Sequence, residues 1–161
     1  MQPMNPAPKT TATALPAPPV LLFFLAPQTN YRQPLFSAHE VFCGPDATTE
    51  RTPGLVRALQ VPAGSFDVGD VLRELPAAQQ PELVIVKADA TGRCLPSNLR
   101  RLKCPKVLLV GDTHHLRQPI RTLLRYALAE PFDFVVFDHS PTAILASFGY
   151  QFETAMIGVG F

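Results

Sequence analysis

Residues 106–115, KVLLVGDTHH, constrain the fold more than any other stretch of the chain. Residues 107–110 are apolar without alternation, and the run stops abruptly at Gly111, Asp112, Thr113, His114 and His115. A continuous run of β-branched residues and leucine reads as a strand buried on both faces, the environment of a parallel sheet. Two other runs end in the same way. Residues 83–86 lead to Lys87 and Asp89, and residues 134–137 lead to Asp138 and His139. In open α/β sheets, functional groups collect where strands end at their carboxyl edge. Three strand ends that each deliver polar, titratable groups therefore predict one shared cleft.

The intervening segments carry helix signals. Thr52 as N-cap and Pro53 at the first helical position predict a helix over residues 52–60. A second helix follows Asp67 as N-cap. Its Val68, Val71, Leu72 and Leu75 recur on one face, and Phe66 is placed to staple onto Val71. A short helix is expected over 96–102 and a longer one over 117–129, with Ile120, Leu123, Leu124, Ala127 and Leu128 as its apolar face. Ser140–Pro141 opens a further helix that Gly149 closes. Strands are expected over 20–25, 40–42 (before a Gly44–Pro45 turn), 83–86, 107–110 as the central strand, 134–137 and 155–159. Strands alternating with helices imply right-handed crossovers and a sheet covered on both faces. The expected class is α/β, a Rossmann-like three-layer sandwich with a mostly parallel sheet.

At 161 residues the chain suits one domain with a sizeable core. Residues 1–18 are rich in Pro, Ala and Thr and read as a disordered leader; residues 19–161 read as the Rossmann-like domain. The chain stops as its last expected strand ends, as one half of a two-domain protein would. A net charge of +1 and the lack of basic residues interleaved with aromatics argue against nucleic acid as a partner. The apolar run at residues 20–26 is too short to span a membrane, and no other run approaches that length. Cys43, Cys94 and Cys104 are odd in number and lack CxxC spacing, which points to a reduced, cytoplasmic setting with thiols as packing residues.

The polar clusters have more than one reading. Asp112 or a neighbouring histidine can serve as a general base, since imidazole titrates near neutrality. Alternatively, Asp112 and Thr113 cap the following turn and the histidines face solvent. A metal site is not expected, because adjacent rings at His114 and His115 diverge and no D-x-H follows the first strand. Arg117, Arg121 and Arg125 form a stripe opposite the apolar face of their helix, suited to a phosphate, to a second domain or simply to solvent. Neither GxGxxG, GxxxxGK[ST] nor GxSxG occurs.

The order PELVIVK, CPKVLLVGDTHH and LLRYALAEPFDFVVFDHS resembles the N-terminal half of CgeB-like glycosyltransferases, enzymes of GT-B architecture with two Rossmann-like domains. The resemblance spans roughly residues 81–140. It is carried by strand apolars together with Asp112, His114, Asp133 and His139. A Gly-rich turn after Leu25 and a C-terminal donor-binding domain are missing from the pattern. The resemblance implies an acceptor-side domain of an enzyme that transfers sugar from a nucleotide donor, with no metal or other cofactor. Taken with the three strand ends, this reading makes Asp112 and His114 the catalytic groups and Asp89, Thr113, His115, Asp138 and His139 the substrate-binding groups. The partners it implies are a sugar or glycan acceptor and a nucleotide-sugar held by a second domain, so the fragment alone would at most bind acceptor. A different class remains open, a non-catalytic flavodoxin-like binding or regulatory domain that uses the same sheet edge.

Overall fold

The structure is a computed structural model that describes residues 17–24, 36–49, 57–89, 91–111 and 119–137. In chain order its strands are β1 (Pro19–Phe23), β2 (His39–Gly44), β3 (Arg57–Gln60), β4 (Gly64–Asp67), β5 (Leu83–Ala88), β6 (Cys94–Ser97), β7 (Lys106–Val110) and β8 (Phe134–Phe137). Helix α1 (Val68–Glu74) follows β4, and α2 (Pro119–Ala129) joins β7 to β8.

Six strands form one sheet in the order β3-β2-β1-β5-β7-β8, and every pairing in it is parallel. Counted within this sheet, the order is 3-2-1-4-5-6, the doubly wound Rossmann arrangement. The α/β Rossmann-like expectation therefore holds. β1 and β5 occupy the centre, with Val20 to Phe23 and Val84 to Val86 buried. β7 lies one strand further out, which corrects its expected central place. Its Lys106, Leu108 and Val110 are buried, while Val107 and Leu109 are only half-buried.

The sheet residues divide between two clusters by strand periodicity. On one face Leu21, Phe23, Val84, Val86, Leu108 and Val110 pack with Val68 and Val71 of α1 and Leu123, Tyr126 and Ala127 of α2. On the other, Val20, Leu22, Phe42 and Ile85 pack with Ala47 from the β2–β3 connection. α1 starts as expected: Asp67 accepts a hydrogen bond from the Gly69 N–H at 2.7 Å, and Phe66 and Val71 share one cluster. That bond, before the contributions of Asn98 and Arg101, holds the Asp67 carboxyl below the usual carboxylate range.

Three helix expectations are revised. Arg57–Gln60 is a strand at the free edge of β2, although the N-cap signal falls at Thr52 and Pro53, outside the described residues. The strand wins because it places Ala58 and Leu59 in opposite clusters and aims Arg57 at the Glu74 carbonyl closing α1, at 2.8 Å. Over residues 96–102, Pro96 belongs to β6, which pairs in parallel with β4 outside the main sheet. A proline is tolerated there because β6 has one described partner strand. Asn98 then turns the chain in the left-handed region (φ 62°) before a single 3-10 turn at Leu99–Arg101. In α2 the buried stripe runs through Leu123, Tyr126 and Ala127, and Leu128 is 53% exposed. The Tyr126 hydroxyl donates to the Pro96 carbonyl at 2.6 Å, turning the helix toward β6. The expected helix after Ser140, the strand at 155–159 and residues 1–16 of the leader lie outside the described residues.

Candidate functional site: the carboxyl edge at the switch point

A doubly wound sheet has one place where the winding reverses, and ligands bind outside the carboxyl ends of the strands there. In this chain it lies between β1 and β5. The flanking ends are aligned: Ala88 of β5 is opposite Val110 of β7, which is opposite Phe137 of β8. The Gly111 N–H extends this ladder by donating to the Ala88 carbonyl at 2.8 Å. The three strand ends singled out from sequence thus leave the sheet at one edge and one level.

Lys87 is a charged group buried near this edge. β5 runs past residue 86 to Ala88, so Lys87 stands inside the strand, on the face of Leu83 and Ile85, and is only 5% exposed. Its Nζ lies 5.0 Å from the centroid of the Phe24 ring, just beyond β1. Ammonium over an aromatic face gains from the ring quadrupole. On the β7 side the Gly111 backbone runs beside the lysine stem, where a Cβ would stand 3.4 Å from Cε. Gly44, at the end of β2, allows an even closer approach: a Cβ there would fall 2.3 Å from the Phe24 carbonyl oxygen. Phe24 is also tied to β2 by its N–H, which donates to the Cys43 carbonyl at 3.0 Å. The end of β1 is therefore held firmly beneath the lysine.

Asp89, one of the expected binding residues, is half-buried and engaged locally. Its Oδ1 accepts from the Thr91 N–H at 2.8 Å and from the Thr91 hydroxyl. This Asx turn shapes the loop leaving β5. Asp112, Thr113, His114, His115, Asp138 and His139 lie outside the described residues, as does Arg117. Arg121 and Arg125 are exposed on α2.

The thiols serve packing. Cys43 and Cys94 are buried, and the Cys94 Sγ contacts the Cys43 carbonyl at 3.8 Å. Burial pushes the Cys43 thiol well up and that of Cys94 to about 12, so both are protonated at neutral pH and poor nucleophiles. No group of three His, Cys, Asp or Glu residues suited to a metal occurs among the described residues. No described helix is long and apolar enough to cross a membrane.

Sequence reasoning found the edge but missed its focus. Lys87 reads in sequence as the first polar residue after a strand, whereas it is a buried member of that strand. The available signal was its phase, two residues beyond Ile85 on the same face. No protein family, curated protein or solved structure matches the chain. Its own geometry carries the functional reading.

Proposed function

We propose that the chain is the N-terminal, acceptor-side domain of a GT-B-type glycosyltransferase acting in the cytoplasm. One observation carries the reading. The sheet is parallel and Rossmann-ordered, and its ends at Ala88, Val110 and Phe137 align just before Asp89, Asp112 and Asp138 in the chain. A saccharide acceptor would lie along that edge. Asp112 or His114 would take the proton from the attacking hydroxyl, and Asp89, Thr113, His115, Asp138 and His139 would hold the remaining hydroxyls. The nucleotide-sugar would be held by a second domain. The alternative, a non-catalytic flavodoxin-like binding or regulatory domain, would use the same edge; β2-β1-β5-β7-β8 by themselves run 2-1-3-4-5, and β3 extends them to the Rossmann order.

The test is sugar transfer by the protein of the complete reading frame, followed as nucleoside diphosphate released from a panel of nucleotide-sugars. Asp112→Asn and His114→Ala should each lower turnover by about 10²–10⁴-fold while leaving the melting temperature unchanged. Absence of transfer, or unchanged turnover in both variants, overturns the reading.

A further inference from the structure

We infer that the outer flank of β8 receives residues 155–159 of the same chain as a further parallel strand, with residues 141–149 packed beside α2 as the crossover helix. The docking holds whether or not the protein transfers sugar.

β8 is the last strand of the sheet among the described residues, and none of its apolar side chains is fully buried. An apolar strand at a sheet edge is a ready template for another strand. α2 carries a second uncovered group on the same flank. Its Tyr126 hydroxyl bonds Pro96 of β6, and a Cβ at Gly92, just before β6, would stand 3.6 Å from the Thr122 methyl. β6 itself lies against β5 and β1, toward the centre of the sheet. At about 3.6 residues per turn, Leu124 and Leu128 therefore fall on the opposite flank of α2, the one that looks outward past β8. Leu124 is half-buried, whereas Leu128 is 53% exposed. Val135 of β8 packs against the cluster that α2 covers, so the open edge and the uncovered leucine adjoin one another.

Handedness selects the occupant. α2 joins β7 to β8 in the outward direction, and a right-handed connection from β8 to a strand still further out places its helix on the face that α2 covers. That helix arrives on the flank of Leu128. Residues 138–154 exceed the dozen or so that a parallel crossover needs. Within them Ile144, Leu145 and Phe148 fall on one helical face between Pro141 and Gly149, and Ala155, Met156, Ile157 and Val159 supply an apolar strand. The other stretches outside the described residues are tied elsewhere. Residues 25–35 and 50–56 lie between β1, β2 and β3, residues 112–118 lead into α2, and residues 1–16 precede β1 at the centre. Phe134 and Val136 point to the other face of the sheet, away from this crossover, and stay exposed.

The experiment is nuclear magnetic resonance of the whole chain. Nuclear Overhauser contacts should join the backbone of residues 134–136 to that of residues 156–158, and the Leu128 methyls to Ile144 or the Phe148 ring. Mixing labelled with unlabelled chain separates contacts within one molecule from contacts between two. Absence of these contacts overturns the inference, and so does their appearance only between copies, which would give the edge to a second molecule. A double-mutant cycle reads the same docking through stability. Leu128→Ser and Phe148→Ser should each lower the melting temperature by several degrees, although Leu128 is exposed among the described residues, and the double variant should lose clearly less than the two losses together. A wild-type melting temperature in Leu128→Ser, or fully additive losses, also overturns it.

Discussion

PVLLF of β1 and LVIVKA of β5 are buried from their second residue to their last, whereas KVLLV of β7 alternates buried with half-buried and FVVF of β8 alternates exposed with half-buried. The four segments look alike in sequence: short, β-branched or leucine-rich, with little polar alternation. Their environments differ because β1 and β5 each have at least two strands on either side, whereas β7 has only β8 beyond it and β8 ends the sheet among the described residues. An apolar run permits burial on both faces, but position in the sheet decides how much of it occurs.

The flank is held in a different manner from the centre. Asp133 Oδ2 accepts from the Lys106 N–H at 2.7 Å and stands 3.2 Å from its Nζ. The Asp133 N–H returns a bond to the Lys106 carbonyl at 2.9 Å. At the end of α2, the two oxygens of Glu130 accept from the Asn98 N–H at 3.0 Å and the Leu99 N–H at 2.8 Å, satisfying the turn after β6. The centre relies on apolar burial, and the flank adds directional polar clasps to a thinner apolar contact.

The largest effect separating the two regions should come from placing the same charge in each. Val86→Asp buries a carboxylate at a position with 0% exposure, and a loss of about 4 kcal/mol or more is expected, enough to unfold a marginal domain. Val136→Asp, at a position 37% exposed, should cost about 1 kcal/mol or less. Denaturant unfolding of both variants measures the difference, and equal losses would break the comparison. Next in size is Glu130→Ala, which strands two N–H donors and should cost about 1–3 kcal/mol by the same measurement. A neutral result would show that the flank does not depend on its clasp. The smallest effect concerns reactivity rather than stability. With a maleimide at neutral pH, half-buried Cys104, just before β7, should be labelled first, and Cys43 and Cys94 only as the domain unfolds. Mass spectrometry of the labelled peptides reads this order directly, and early labelling at Cys43 would contradict a closed centre.

Much of the fold was legible because strand and helix periods are written locally. The strands at 83–86, 107–110 and 134–137, the Asp67 cap and the amphipathic α2 were all readable from spacing. The misread elements share a cause. At Arg57–Gln60 and Cys94–Ser97 no local pattern is strong, and pairing with β2 and with β4 decided the conformation. The candidate edge was legible as polar residues after apolar runs, but its alignment and the burial of Lys87 were not.

Local residue patterns are enough to specify an α/β chain with parallel strands whose carboxyl ends lead into Asp89, Asp112 and Asp138, because hydrophobic periodicity and cap chemistry act over a few residues. The central place of β1 and β5, the reversal of winding between them and the burial of a lysine beside it emerge from the assembled sheet alone. Strand order is set by which long-range pairings bury the most apolar surface with right-handed connections, and no short window of residues carries that information.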